Sequence, residues 1–142
     1  MIGPEMTGSE RRVLIFGATG ALGGHTLDGL VARGLRPGTV TAAGRNRDRL
    51  DELAARGFAT ATVDLSSPAR AAEVVSGHSE VVLISGGDPD RLDQHRGVIE
   101  AARAAGVDHI YYTSGIRADD ERFPINVDHR ATEQALAAST VT

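Results

Sequence analysis

At 142 residues, 41% hydrophobic and 24% charged, the chain has the composition of one globular domain large enough to bury a core. Its formal net charge of −4, with no basic cluster, argues against nucleic acid as the main partner, and no apolar run approaches the roughly 20 residues that span a bilayer. There is no cysteine, and all 15 Lys-or-Arg positions are arginine, which excludes disulfides, thiolate nucleophiles, zinc–thiolate sites, a P-loop of the GK[ST] type and Schiff-base chemistry.

Residues 1–11 lack the apolar segment of a signal peptide and read as a flexible lead-in; the composition fits the cytoplasm. The domain is expected over residues 12–142. Val13-Leu14-Ile15-Phe16 is a continuous apolar run, the mark of a strand buried on both faces. Glycines at 17, 20 and 23 follow, and Leu22, Leu27, Leu30 and Val31 predict the apolar stripe of a helix. In a strand–turn–helix unit the first glycine turns the chain, the second admits a pyrophosphate close to the backbone, and the third lets helix and strand pack tightly. The helix N-terminus adds free N–H donors and positive potential. The spacing is GxxGxxG rather than GxGxxG, and its position between strand and helix is what points to a dinucleotide.

Downstream, Arg33 to Gly38 reads as a turn, Thr39–Ala43 as a short strand, and about Arg47–Ala55 as a helix closed by Gly57. Phe58–Val63 alternates as a strand. Ser67-Pro68 predicts an N-cap followed by proline at the first helical position, for a helix running to about Ser76. Glu80–Ser85 is another buried strand, Arg91–Ala105 the longest helix, Val107–Thr113 a fifth strand, Ser114–Pro124 a polar loop and Asn126–Ala138 a last helix; Val141 is placed to begin a sixth strand. Strands alternating with helices define a Rossmann-type, doubly wound α/β fold with a parallel sheet covered on both faces. Right-handed crossovers give the order 3-2-1-4-5, with ligand beyond the carboxyl ends of the strands.

Those ends supply the candidate site residues: Gly17, Ala18, Thr19, Gly20, Ala21, Leu22 and Gly23 after strand 1; Arg45 and Asn46 after strand 2; Asp64 and Leu65 after strand 3; Ser85, Gly86 and Gly87 after strand 4; and Thr113 after strand 5. The second strand offers no acid for a ribose 2′-hydroxyl before Asp48, whereas the Arg45 guanidinium suits a 2′-phosphate. NADP(H) is therefore expected over NAD(H); the alternative is that Arg45 and Arg47 are solvated helix-start residues. Asp64 suits the adenine amino group, with Leu65 on the ring, or is simply a loop acid. Ser85-Gly86-Gly87 fits under the nicotinamide-side ribose, or is a plain tight turn. Thr113 and Ser114 face substrate or cap a loop. Of the five histidines, His25 and His78 read as surface or helix-edge residues, His109 begins a strand, and His95 approaches the site or is solvated. His129 lies near the start of the last helix, whose N-terminus could point toward the cofactor. No HxxxH or HExxH spacing occurs, so no metal is expected, and without GxSxG an esterase nucleophile is unsupported.

Gly17-Ala-Thr-Gly-Ala-Leu-Gly23, Gly44-Arg45-Asn46, Leu83-Ile84-Ser85, Gln94-His95-Arg96, Ala101-Ala-Arg-Ala-Ala-Gly-Val107 and Tyr112-Thr113-Ser114 together resemble the atypical short-chain dehydrogenases. More narrowly they resemble the NmrA-like group and its NAD(P)H:quinone oxidoreductase branch, from about Arg12 onward. The resemblance implies that Gly17–Leu22 hold the pyrophosphate, Arg45 the 2′-phosphate and the Ser85 region the nicotinamide side. It implies hydride transfer from NADPH to a quinone or similar small electrophile. Ser114 and His129 are the candidates for substrate contact or proton delivery.

Two departures qualify this. The usual Tyr-x-x-x-Lys pair is missing, and the helix where it would lie reads His129-Arg130-Ala131-Thr132-Glu133. Similar proteins run to about twice this length, their second half closing over the substrate. The alternatives are thus a non-catalytic NADP(H)-sensing or partner-binding module, or one half of a truncated or split reductase. The edge of strand 5 is expected to recruit a second copy or a partner chain.

Overall fold

The computed structural model describes residues 11–142; most of the expected lead-in, residues 1–10, lies outside the described residues. Five parallel strands, β1 (Val13–Phe16), β2 (Val40–Gly44), β3 (Ala59–Thr62), β4 (Glu80–Leu83) and β5 (His109–Tyr112), pair in the order β3-β2-β1-β4-β5. They alternate with helices α1 (Ala21–Ala32), α2 (Arg47–Ala55), α3 (Pro68–Val75), α4 (Arg91–Ala105) and α5 (Pro124–Ala138). The fold is the expected Rossmann-like one.

The apolar run of β1 serves two cores at once. Leu14 and Phe16 point to one side, packing with Val81, Leu83, Val74, Val75, Val98 and Ala102 beneath α3 and α4. Val13 and Ile15 point to the other, with Val40, Ala42, Leu27, Leu50, Leu53 and Phe58 beneath α1 and α2. Period-two alternation in a strand covered on both faces leaves no polar position, which is why all four residues are buried.

Local signals set the helix starts. The Asn46 side chain accepts from Arg49 N–H at 3.1 Å and caps α2, and Ser67 does the same for Arg70 N–H at 3.4 Å, with Pro68 at the first position of α3. The last helix begins two residues earlier than expected because Pro124 takes the same first position. The β4 ladder stops at Leu83, short of the expected Ser85: the Ser85 N–H donates to Thr113 Oγ1 at 2.8 Å instead of to a neighbouring strand.

The helical stripe of α1 is narrower than expected. Leu27 is fully buried, but Leu22 and Val31 are 52% and 38% exposed. Gly23, not Leu22, occupies the position against the sheet. A Cβ there would lie 2.6 Å from Ala18 Cα and closer still to the Gly17 carbonyl oxygen. Val141 forms no regular strand, yet it packs against the α3–α4 core, and the Thr142 carbonyl accepts from Ile110 N–H at 2.8 Å along the outer side of β5.

Candidate functional site

The carboxyl ends of β1 to β4 open onto a cleft of about 620 Å³, within the range of small-molecule and cofactor sites. Of the residues singled out from sequence, Gly17, Thr19, Gly20, Ala21, Leu22, Gly23, Arg45, Asn46, Asp64, Leu65, Ser85 and Gly86 all line it. The turn after β1 is built for close approach. Gly17 takes a φ of +81°, a conformation that L side chains rarely adopt, while Gly20 caps α1 with extended backbone and no side-chain hydrogen bond. The first-turn N–H groups of Ala21, Leu22 and Gly23 have no partner within a helix by its geometry, and no acid stands in that turn. A Cβ on Gly20 would find only the Gly17 oxygen, at 3.7 Å, so its absence leaves open space over those donors. The arrangement fits a pyrophosphate.

Several predicted residues are engaged elsewhere or lie to one side. Ala18 is fully buried and its N–H donates to the Ala43 carbonyl at 3.2 Å, so it holds the turn on β2 rather than facing the cleft. The side-chain oxygen of Asn46 is committed to capping α2. Asp64 lines the cleft, but one carboxylate oxygen accepts from the Ser66 hydroxyl at 2.7 Å and the Ser66 N–H at 3.0 Å. These bonds, hydroxyl first, hold the Asp64 pKa below its ordinary value, with a smaller contribution from Arg45. Thr113 sits one layer behind Ser85, accepting its N–H and pairing with its hydroxyl at 3.1 Å. Gly87 and Ser114 are exposed and are not among the lining residues.

His129 is buried away from the cleft, its Nδ1 2.5 Å from the Tyr112 hydroxyl. The other tyrosine hydroxyl, of Tyr111, donates to Glu80 at 3.1 Å. Neither tyrosine lines the cleft.

Three polar residues join the site from beyond the predicted set. Asp88 reaches over from the loop after β4, 3.7 Å from Arg45 and accepting from Gln94 at 3.2 Å. Both members of the Arg45–Asp88 pair are well exposed, so it contributes little to stability. The third is His95, which corrects the solvated reading: it is 1% exposed and lines the cleft from the second turn of α4. Burial above all, then the nearby positive potential of His129 and Arg91, lowers its pKa to about 4, so it is neutral at physiological pH. The sequence carried a signal for this: His95 falls in helical register with Val98, Ile99 and Ala102, all buried. Elsewhere, His25 and His109 are exposed, and His78 is half-buried with Nε2 2.8 Å from Thr41 Oγ1. Among the described residues no cluster of three or more His, Asp or Glu side chains could hold a metal, and no helix is long and apolar enough to cross a membrane.

A glycine turn that opens onto a helix N-terminus, at the reversal point of a doubly wound parallel sheet, defines a dinucleotide-binding α/β domain. The comparisons agree: residues 17–142 match the NAD(P)H-binding family, to which the chain belongs. It is 35% identical over 130 residues to quinone oxidoreductase 2 of Escherichia coli (91% of this chain, 45% of that protein). It is 32% identical over 139 residues to an NmrA-like family domain-containing oxidoreductase of Aspergillus flavus (92% and 45%). Among solved structures, the Citrobacter sp. triphenylmethane reductase complexed with NADP(H) superposes with a TM-score of 0.86 at 32% identity, over 92% of this chain and 46% of that one. The chain therefore spans about half the length of the curated relatives it matches.

Proposed function

We propose that this NAD(P)H-binding domain prefers NADP(H) to NAD(H) and serves hydride transfer from NADPH to a quinone or similar small electrophile in the cytoplasm. The observation that carries the cofactor preference is Arg45, which lines the cleft one residue past β2 where an NAD site would present a carboxylate. The nicotinamide would supply the hydride. A quinone accepts it directly and takes its proton from water, so the reaction needs no tyrosine acid. That suits a chain whose two tyrosine hydroxyls are engaged away from the cleft. The names of the relatives, a quinone oxidoreductase and a dye reductase, support the substrate class. A second copy or a partner chain along the outer edge of β5 belongs to the same proposal.

The rival is a non-catalytic NADP(H)-sensing or partner-binding module, favoured by the missing Tyr-x-x-x-Lys pair. One titration separates the readings. Calorimetry with NADPH and NADH, followed by reduced-nicotinamide absorbance after addition of a simple quinone, gives binding with turnover for the reductase and binding alone for the module. Arg45→Ala is expected to weaken NADPH roughly 10- to 100-fold, the worth of a charge-assisted hydrogen bond, and to leave NADH nearly unchanged. Equal loss for both would sink the 2′-phosphate assignment.

A further inference from the structure

We propose that His95 presents an unprotonated Nε2 to the cleft and accepts a hydrogen bond there from an N–H or O–H group on the nicotinamide half of the cofactor, with Thr132 fixing the tautomer. The inference rests on the cofactor reading above and adds to it a residue and an atom.

The proton positions follow from counting donors. Thr132 has one hydroxyl hydrogen. Its Oγ1 lies 2.8 Å from the Asp128 carbonyl, one helical turn back on α5, and a carbonyl only accepts, so the hydrogen is directed there. What Oγ1 turns toward His95 is a lone pair. His95 Nδ1 is 3.0 Å from that oxygen, and with the hydroxyl hydrogen on the Asp128 carbonyl it is Nδ1 that carries the ring proton. In a neutral imidazole the other nitrogen, Nε2, is then an acceptor with no proton of its own. Burial keeps the ring neutral at physiological pH.

The surroundings hold the ring in place. The Tyr112 ring meets it edge to face, with centroids 5.3 Å apart and planes at 68°. Arg91 and Asp128 pair beside it, Nε to Oδ2 at 2.9 Å but with the N–H poorly aligned for a hydrogen bond, and so tie α4 to α5. Nothing among the described residues bonds Nε2, and it is not one of the nitrogens sealed inside the protein without a partner. His95 itself lines the cleft. A buried ring nitrogen left unpaired costs about 1–3 kcal/mol, a cost that a donor bound in the cleft removes. Here one is matched by α5 and the other is left to the cleft. Ser85 and Gly86 follow β4, two strands along the sheet from β2 and Arg45, although Asp88 of the same loop reaches back to within 3.7 Å of Arg45. The donors available on the nicotinamide half of the cofactor are the carboxamide N–H and the ribose hydroxyls.

The test is nitrogen-15 NMR of the imidazole groups in the intact wild-type chain, with His95 assigned through its backbone resonances. The free protein is expected to show His95 as the Nδ1-protonated tautomer, with Nε2 at the downfield position of a bare ring nitrogen. NADP⁺ should move Nε2 upfield, as a hydrogen bond does, while the amides of Gly17–Gly23 shift. An Nε2-protonated tautomer in the free protein overturns the proposal outright. Glycine amides that shift while Nε2 does not overturn it and leave the cofactor reading standing; if neither moves, both fall. The 3-acetylpyridine analogue of NADP⁺ lacks the carboxamide N–H: loss of the Nε2 shift with it assigns the donor as the carboxamide, and retention assigns a ribose hydroxyl. Thr132→Val should shift the tautomer balance toward Nε2–H and weaken NADP⁺ binding roughly threefold to tenfold; unchanged tautomer and affinity would deny Thr132 its role.

Discussion

At the scale of single residues, His95 shows how burial sets a protonation state that then has consequences for the whole chain. Its pKa in the fold is about 4, against an ordinary value of 6.5. Between those values the unfolded chain takes up a proton that the folded chain excludes, so stability rises with pH across this window. By about pH 7.5, a unit above the unfolded pKa, the group is neutral in both states and contributes almost no pH dependence. As pH falls toward 4, on the order of 3 kcal/mol is lost from this one group. His78 is also depressed, chiefly by burial, and acts in the same direction. Urea unfolding of wild type and His95→Gln at pH 7.5 and pH 4.5 isolates the term. The wild type is expected to lose about 2–3 kcal/mol more than the variant over that span, and parallel losses would mean that His95 titrates normally in the fold.

At the scale of elements, the β1–α1 unit depends on Gly23 more than on any side chain of the helix. A Cβ there meets backbone atoms of Gly17 and Ala18 within 3.0 Å, and backbone cannot rotate out of the way. Gly23→Ala is therefore expected to push α1 off β1 and destabilise the fold by roughly 1–3 kcal/mol. One residue along, a Cβ on Gly24 meets nothing within 4 Å. Gly24→Ala is expected to be neutral or stabilising by up to about 1 kcal/mol through helix propensity alone. Thermal unfolding of the pair tests whether packing, rather than helix chemistry, fixes the glycine.

Much of this element was legible in the sequence, because a double-sided strand, a glycine turn and a helix start each leave local marks. Leu22 was misplaced because the stripe of α1 was read from its apolar residues, while the contact with the sheet is made by an absent side chain. The end of β4 was misjudged for another reason: its Ser85 N–H leaves the ladder for a hydroxyl 28 residues away, and no local pattern encodes that. Asp88 joined the site for a similar cause, since only the folded loop brings it toward Arg45.

At the scale of the whole molecule, the cleft draws its lining from the carboxyl ends of β1 through β4, the first turn of α1 and the first two turns of α4. A ligand held there bridges elements that pack into both cores, on opposite faces of the sheet. Binding should therefore be linked to unfolding of the entire domain rather than to ordering of one loop. A ligand present at a hundred times its dissociation constant stabilises the bound state by about 2.7 kcal/mol, which for a chain of this size raises Tm by roughly 10 °C. Scanning calorimetry with NADPH at that excess is expected to show a single transition moved upward by about this amount. If Arg45 holds the 2′-phosphate as proposed, NADH at the same concentration should move it less. The chain spans about half the length of its curated relatives, yet every residue of the cleft just described is its own. An unmoved Tm with NADPH would mean that these strand ends, though correctly arrayed, do not by themselves retain the cofactor.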